Sequence, residues 1–469
     1  MRSSYIGEFN FSKYLEQVCD AETIHYIGSV IRVRGLDIES EGPRSVIGEI
    51  CTIKLTSGAS ILAEVVGLDG KTVKLTAFGN TKGIEVGCEV VASGSTLRVP
   101  VGKNLLGRAI DATGRACDGL GEIEPETYYP AIADAPDPMK RLPIKKRITT
   151  GVKAIDSLLT IGKGQRIGIF AGSGVGKSSL LSMIARSSDA DINVIGLIGE
   201  RGREVLDFIE RDLGKEGLKR SVLVIATGDQ PAICRVRAAY VCTAVAEYFR
   251  DQGKDVLLMV DNVTRFAKAQ QEIGTSNGEL PITGGYTPSV FDMLPKLMER
   301  TGANDKGTIT AFYNVLVDGD DLNEPITDAV RGILDGHIVL SRKLAMAFHY
   351  PAIDVLASIS RLSDRVSGKV TQKACGKIRR WMSIYESNSA MITSGIYEKG
   401  SSPEIDEAIA MHNQIEEFLL QEKFKPSSMK ETLDAVAKLT GMVIPEEEYE
   451  EICEKEIPGQ EVEEHSSEE

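Results

Sequence analysis

The segment Ala171-Gly-Ser-Gly-Val-Gly-Lys-Ser178 constrains the fold of this chain more than any other part of the sequence. It directly follows the apolar run Arg166–Phe170 and precedes a helix-compatible segment that begins at Ser179. A strand, a glycine-rich turn and a helix in this order form a phosphate-binding loop, in which backbone N–H groups and the helix N-terminus surround an anion. Ala171 stands where the usual first glycine would be, which such loops tolerate. The segment therefore predicts an α/β domain with a parallel sheet and a phosphate site.

The loop also carries the side chains that a nucleotide with bound Mg2+ requires. Lys177 would supply a compact positive charge to the β- and γ-phosphates, and the Ser178 hydroxyl is a suitable Mg2+ ligand. The nucleotide-binding residues predicted from this motif are Gly172, Ser173, Gly174, Val175, Gly176, Lys177, Ser178 and Ser179.

A carboxylate ends a second apolar strand. Asp261 follows the run Leu257-Leu-Met-Val260, and we expect it beside the phosphate loop as a partner of Mg2+ if the two strands are neighbours in the sheet. By itself, an Asp at a strand end is more often a helix cap or a turn residue. The phosphate loop favours the functional interpretation.

A third motif, Gly199-Glu-Arg-Gly-Arg-Glu204, follows the apolar run Ile192–Ile198 and should lie at the same edge of the sheet. We predict that Glu200 orients and polarises the attacking water, that Arg201 neutralises charge on the γ-phosphate, and that Glu204 holds a metal-bound water. A surface cluster of Glu/Arg ion pairs is the alternative interpretation.

The residue pattern changes several times along the chain. Short β-branched runs broken by glycine predict a small closed β-domain, a proline-rich connector follows, apolar runs then alternate with helix-length stretches, and helical periodicity dominates after about Ser363. The predicted organisation is a helical arm (1–26), a β-barrel domain (27–98), a connector leading into the core (99–150), a parallel α/β domain (151–363), a helical C-terminal domain (364–444) and a disordered acidic tail (445–469).

Charge is concentrated at the end of the chain. The formal net charge is −14, but residues 445–469 hold twelve Glu and one Lys, which leaves about −3 for the rest. A nearly neutral body without Lys/Arg runs disfavours nucleic acid and an anionic membrane as primary ligands. The eight cysteines form no C-x-x-C pair, and no apolar run reaches the roughly 18 residues that span a bilayer. We therefore expect a soluble cytoplasmic protein with reduced thiols.

Four stretches together resemble the flagellar-type (type III) protein-export ATPases. They are Gly162-Lys-Gly-Gln-Arg-Ile-Gly-Ile-Phe-Ala-Gly-Ser-Gly-Val-Gly-Lys-Ser178, Gly199-Glu-Arg-Gly-Arg-Glu-Val205, Gly285-Tyr-Thr-Pro-Ser-Val290 and His349-Tyr-Pro-Ala-Ile-Asp-Val-Leu-Ala-Ser-Ile-Ser-Arg361. The resemblance extends over residues 27–439 and includes a relationship to the catalytic subunits of rotary ATP synthases. It implies a β-barrel, a RecA-like P-loop ATPase core and a helical C-terminal domain.

The resemblance also assigns roles. It implies a homohexamer that hydrolyses Mg-ATP at its subunit interfaces, with Glu200 as the catalytic glutamate and Arg361 as an arginine finger that acts on the neighbour's ATP. Tyr350 matches the residue that stacks on the adenine ring, although packing in the turn before Pro351 is an equal alternative. The implied partners are an export-apparatus regulator, a stalk-like coiled-coil subunit, the export gate, and export chaperones and substrates. Membrane association would be peripheral only, at the inner face of the plasma membrane.

Two departures from the family pattern stand out. Asn262-Val263 follows Asp261 where the family more often has Ser-Leu, and Gly284 replaces a basic residue before Gly285-Tyr. We expect neither departure to touch the phosphate chemistry.

Several other functions compete with flagellar export. A virulence type III secretion ATPase uses almost the same motifs, and a rotary ATP synthase catalytic subunit is the next relative. A hexameric RNA translocase should interleave aromatic and basic residues in its N-terminal domain, but Phe78 is the only aromatic residue between Ile27 and Arg108. A non-catalytic assembly subunit should lack Glu200 or Arg361, and both are present.

Overall fold

The computed structural model describes residues 26–449 and divides the chain into two compact units, with the division between Leu97 and Arg98. The described part of the first unit is a closed antiparallel barrel in the order β1-β2-β5-β4-β3-β6. Alternate residues point inward, so Val30, Ile53, Val65 and Val90 are fully buried. The barrel strands are β1 (Ile27–Arg34), β2 (Asp37–Glu41), β3 (Glu49–Lys54), β4 (Ser60–Asp69), β5 (Thr72–Ala77) and β6 (Glu89–Thr96).

The second unit is built on a mainly parallel sheet in the order β19-β18-β12-β17-β15-β13-β14-β8, with antiparallel pairs only at β18–β19 and at the short β16, which pairs with β17. Four short strands of this unit lie outside the sheet: β7 (Arg98–Val101), β9 (Thr127–Pro130), β10 (Arg147–Ile148) and β11 (Ile161–Gly162). The strands of the sheet are β8 (Ala109–Ile110), β12 (Arg166–Ala171), β13 (Ile192–Ile198), β14 (Ser221–Ala226), β15 (Asp255–Asp261), β16 (Gly302–Ala303), β17 (Thr308–Leu316), β18 (Gly336–Leu340) and β19 (Ile353–Ser360).

The central strands are apolar on both faces because helices cover both faces of the sheet. All seven residues of β13 are buried, and six of the seven in β15. The helices are Lys153–Leu158, Lys177–Ser187, Gly202–Asp207, the π-helix Phe208–Leu213, Gly214–Lys219, Ala232–Asp251, Val263–Ser276, Pro288–Met298, Pro325–Ile333, Arg342–Met346, Ser363–Val366, Lys369–Thr393, Pro403–Leu419 and Met429–Thr440, with 3-10 turns at Lys103–Leu105, Pro138–Lys140, Asp318–Asp320 and Glu446–Glu448.

The connector and the C-terminal helices are less separate from the main sheet than the sequence suggested. β8, in the predicted connector, pairs with β14 at the edge of the main sheet, so the chain enters the second unit well before residue 150. Trp381, Phe418 and Leu433 belong to the same buried cluster as Ile167 of the sheet. The sheet and the C-terminal helices therefore share one hydrophobic core.

The last described residues revise the predicted start of the acidic tail. The Glu448 carboxylate accepts hydrogen bonds from the Thr371 backbone and hydroxyl at 2.8 and 2.7 Å, and Arg147 donates to the carbonyls of Glu448 and Tyr449. These bonds fix residues 445–449 on the helical part of the fold, so the prediction of disorder from residue 445 is wrong for them. The predicted arm, apart from Tyr26, and residues 450–469 lie outside the described residues.

Candidate active site

The phosphate loop joins β12 to the eleven-residue helix Lys177–Ser187. Gly174 and Gly176 have φ values of 79° and 97°, in the left-handed region that glycine enters most readily. Gly172 is needed for a different reason, because a Cβ atom there would lie 2.5 Å from the Asp320 carboxylate. The backbone therefore turns tightly before a helix N-terminus, which is a favourable geometry for binding an anion.

The ammonium group of Lys177 lies between two carboxylates. Its Nζ atom is 2.5 Å from Asp261 Oδ1 and 3.6 Å from Glu200 Oε1. Burial acts to lower the pKa of Lys177, but the attraction of Asp261 and Glu200 outweighs burial and raises that pKa. Lys177 is therefore charged at neutral pH and is held at the mouth of the phosphate loop.

The strand before the phosphate loop and the strand that ends in Asp261 are not neighbours in the sheet, although the sequence prediction assumed that they were. β17 lies between β12 and β15 and pairs in parallel with both. The long side chain of Lys177 spans this separation and reaches the end of β15. The carboxylate and the loop meet because their strands end at the same edge of a parallel sheet.

Glu200 follows the end of β13 and receives a hydrogen bond from Asn262, with 2.9 Å between Asn262 Nδ2 and Glu200 Oε1. Burial first, and the Asp261 carboxylate second, raise the pKa of Glu200, while Lys177 opposes the rise. Asn262, which we expected not to touch the phosphate chemistry, lines the same cavity as the phosphate loop and contacts Glu200. Asn262 caps the helix Val263–Ser276 through its Oδ1 atom, and its amide group fixes Glu200.

A cavity of about 340 Å³ opens over these groups. Arg201 and Glu204 lie at its wall as an exposed ion pair, with 3.2 Å between Arg201 Nη1 and Glu204 Oε1. Val175 is 2% exposed and packs into the core, whereas Asp261 contacts the cavity through Lys177. The predicted residues that line the cavity are Gly172, Ser173, Gly174, Gly176, Lys177, Ser178, Ser179, Glu200, Arg201 and Glu204.

Four further lining residues were not predicted from the sequence: Arg211, Asp212, Arg265 and Leu316. Arg265 lies one helical turn beyond Asp261, and its backbone N–H donates to Asn262 Oδ1 at 2.8 Å. Its Nε atom is buried without a hydrogen-bond partner among residues 26–449. The spacing of Arg265 from a strand-end Asp was the available signal. Arg211 had none, because its π-helix is not visible in the sequence pattern.

A second cavity of about 940 Å³ shares Gly176 and Ser179 with the first. Tyr350 and Phe348 line one side, and the segment 420–427 lines another. A Cβ atom on Gly176 would lie 3.4 Å from the Tyr350 ring, so the ring lies directly beside the phosphate loop. The backbone N–H of Gln421 donates to the Tyr350 carbonyl at 2.9 Å. A flat apolar group joined to a bound phosphate fits this place.

Arg361 lies far from both cavities. β19 runs antiparallel to β18, with Ile353 opposite Leu340 and Ser360 opposite Gly336. Eight strand residues at about 3.3 Å each separate the two ends of β19 by more than about 20 Å. Arg361 is exposed, and its backbone N–H donates to the Asp335 carbonyl, before β18 begins. The structure therefore brings Lys177, Glu200 and Asp261 together but leaves Arg361 at the opposite edge of the sheet.

A parallel sheet with a phosphate loop after one strand, and a carboxylate at the end of another that contacts the loop lysine, define a P-loop nucleoside-triphosphatase. The nucleotide-binding domain of the ATP synthase alpha/beta family matches residues 151–360, its beta-barrel domain matches 30–94, and the T3SS EscN ATPase C-terminal domain matches 368–438. The "Flagellum-specific ATP synthase" of Treponema pallidum is 55% identical over 433 residues, which is 92% of this chain and 97% of the relative. The chain belongs to the flagellum-specific and type III secretion ATPases of the ATP synthase alpha/beta family.

Solved structures agree with this assignment. The assembled ATPase EscN of the enteropathogenic E. coli type III secretion system is 43% identical, with a TM-score of 0.84 over 88% of this chain and 100% of EscN. EscN in complex with its central stalk EscO is 42% identical, with a TM-score of 0.82 over 88% of this chain and 100% of EscN. The chain is accordingly an ATP hydrolase with an N-terminal barrel, a central nucleotide-binding domain and C-terminal helices.

None of the helices in residues 26–449 is long and apolar enough to cross a membrane. Over the same range, no group of three or more His, Cys, Asp or Glu side chains is arranged to hold a metal ion.

Proposed function

We propose that this chain is the ATPase of a flagellar protein-export apparatus, which works as a homohexamer with one nucleotide site at each subunit interface. The observation that carries the proposal is the division of the catalytic set between two edges of one sheet. Lys177, Glu200 and Asp261 meet at one edge, and Arg361 is exposed at the other. A ring of identical subunits would place the Arg361 edge of one subunit against the phosphate cavity of the next.

The phosphate cavity supplies the groups for hydrolysis. Lys177 binds the β- and γ-phosphates, and the exposed Arg201 neutralises charge on the γ-phosphate. Glu200 orients and polarises the attacking water, and its raised pKa suits a group that accepts a proton. Asn262 fixes the Glu200 carboxylate by its hydrogen bond.

The oxygen ligands at this cavity fit Mg2+, which prefers oxygen and commonly binds through one or two protein groups plus phosphates and water. Ser178 offers a hydroxyl at the cavity wall, Asp261 a buried carboxylate, and Glu204 an exposed one suited to holding a metal-bound water. Bound Mg2+ would neutralise charge shared between the β- and γ-phosphates. Because the phosphates complete its coordination, three protein carboxylates are not needed.

The base of ATP would occupy the larger cavity, with the Tyr350 ring stacked on adenine. The ring's position beside Gly176 supports this role over simple packing. Arg361 would act on the γ-phosphate bound by the neighbouring subunit, so hydrolysis would depend on assembly.

The proposed partners are an export-apparatus regulator, a stalk-like coiled-coil subunit, the export gate, and export chaperones and substrates. The solved complex of EscN with its stalk EscO supports the stalk partner. We place the protein in the cytoplasm, peripherally at the inner face of the plasma membrane, without nucleic acid as a ligand. A virulence secretion role is the alternative, since a type 3 secretion system ATPase of Xanthomonas euvesicatoria is 47% identical over 88% of this chain.

Subunit mixing tests the shared site. Glu200→Gln and Arg361→Ala should each bind ATP and scarcely hydrolyse it, and wild-type specific activity should rise with protein concentration. In a one-to-one mixture of the two variants, about a quarter of interfaces would pair an intact cavity with an intact arginine, which predicts recovery of about a quarter of wild-type activity. A mixture of Glu200→Gln with the double variant should recover none. Equal activity before and after mixing would show that Arg361 does not act across an interface.

A further inference from the structure

A basic cleft of about 720 Å³ lies in the second unit, apart from the phosphate loop. Its wall includes Arg186, Arg211, Lys215, Arg220, Lys423 and Phe424. Among residues 26–449, Glu216 is the only acidic residue that lines it. Lys423 and Arg211 both contact Asp212, at 2.8 and 3.0 Å, so their charges are partly balanced. The lining nevertheless retains a clear excess of positive charge.

Three cations of the cleft, Arg186, Lys215 and Arg220, have no carboxylate in ion-pair contact among residues 26–449, and Arg220 donates instead to backbone carbonyls. The Arg186 guanidinium lies 4.6 Å from the centre of the exposed Phe424 ring, and Lys215 is exposed without an ion pair. The exposed Phe424 ring and Pro426 add apolar surface to the same wall. A cleft of this kind fits an acidic peptide that carries occasional apolar side chains.

We propose that residues 450–469 of this same chain bind in the basic cleft. That segment contains nine Glu against one Lys, and its few apolar residues include Ile452, Ile457 and Val462. Its composition therefore matches both the charge and the sparse apolar surface of the cleft.

The segment also starts near the cleft. The Arg147 guanidinium donates a hydrogen bond to the Tyr449 carbonyl. Thr149, two residues after Arg147, donates its backbone N–H to Asp189 Oδ1 at 3.1 Å. The neighbours of Asp189, Ser188 and Ala190, accept hydrogen bonds from the cleft residue Arg220. Twenty extended residues span up to about 65 Å, so the segment is long enough to follow this series of contacts to the cleft.

The docked segment would lie next to the nucleotide. Arg211 lines both the basic cleft and the phosphate cavity, and Lys423 lines both the basic cleft and the larger cavity. Occupancy of the cleft by this chain's own acidic residues would therefore place negative charge beside the bound nucleotide.

Protease protection of the full-length chain tests the proposal. A protease that cleaves after Glu should cut residues 450–469 slowly in the wild type, because docking protects backbone from cleavage. Arg186→Glu combined with Lys215→Glu should raise the cleavage rate roughly tenfold, and 0.5 M NaCl should do the same through screening. The matched control, Lys399→Glu combined with Lys430→Glu, should stay within about twofold of the wild type. Intact-mass analysis of the released fragments separates these cuts from any at the new Glu residues.

The other occupants give distinct outcomes. Intramolecular docking predicts a protection factor that does not change with protein concentration, and release by an added synthetic peptide of residues 450–469. Protection that rises with concentration would assign the cleft to a second copy of the chain and overturn the proposal. Equal cleavage of the wild type and the Arg186/Lys215 variant, with unchanged circular dichroism, would also overturn it.

Discussion

The two cavities that we propose for the nucleotide differ in how they are built. The phosphate cavity is small and lined mainly by charged and polar groups that follow the ends of parallel strands, whereas the larger cavity combines apolar and polar side chains from helices and from loops. Strand ends are fixed by the sheet, so they can hold charges at defined distances; loops such as Phe348–Pro351 depend on bonds to the C-terminal helices. We therefore expect phosphate-cavity changes to act on kcat and larger-cavity changes on KM.

The largest expected effect is that of Asp261→Asn. Asp261 is 3% exposed and lies 2.5 Å from Lys177, so the substitution removes a buried charge that holds the lysine and faces the proposed Mg2+ site. We expect kcat to fall about 10²–10³-fold, with ATP binding largely retained. Steady-state kinetics with a separate nucleotide-binding assay measures this, and Asp292→Asn, on an exposed helix surface, is the matched control. A change confined to KM would remove the proposed distinction between the cavities.

A smaller effect on kcat is expected from Asn262→Ala. The substitution removes the hydrogen bond to Glu200, and such a bond to a charged group contributes roughly 1.5–3 kcal/mol, so kcat should fall about tenfold or more. The bond favours ionised Glu200, so its loss should raise the pKa of Glu200 further above its ordinary value.

The pH profile distinguishes this role from simple damage to the fold. In the proposed mechanism, activity requires ionised Glu200 and is lost as pH falls through the pKa of Glu200, so the acid limb of kcat should move to higher pH in Asn262→Ala. Asn262→Asp, which puts a like charge beside Glu200, should move that limb further in the same direction. An acid limb at the wild-type position in both variants would contradict the positioning role of Asn262.

The same contrast explains what the sequence could predict. The phosphate loop, Asp261 and Glu200 each follow an apolar run, so local pattern was enough to place them at one edge of the sheet. Pattern did not reveal that β17 separates β12 from β15, because sheet order depends on long-range pairing. Nor did it predict the segment 420–427, which reaches the larger cavity only after the C-terminal helices pack on the core.

In the larger cavity, Tyr350→Ala should raise the KM for ATP about tenfold and change kcat little, because an aromatic contact contributes roughly 0.5–1.5 kcal/mol beyond area burial. Tyr350→Phe keeps the ring and should resemble the wild type. Discrimination between ATP and a pyrimidine triphosphate should weaken in the alanine variant alone. An unchanged KM in Tyr350→Ala would favour the packing role over adenine stacking.

The smallest effect is expected from His349→Ala, next to Tyr350. His349 is buried, and its Nδ1 atom lies 2.9 Å from Glu416 Oε2, so this contact ties the Tyr350 turn to the helix Pro403–Leu419. Losing one such contact should raise the KM for ATP about threefold. The hydrogen bond from His349 lowers the pKa of Glu416. The stabilising contribution of this carboxylate is therefore fully present above the ordinary pKa of Glu and is lost as the pH falls through the lowered pKa. Glu416→Gln, which changes the other partner of the same contact, should give a similar rise in KM. A large fall in kcat for His349→Ala would instead show that the geometry of this loop controls the phosphate cavity. The expected separation of kcat effects in the phosphate cavity from KM effects in the larger cavity would then be wrong.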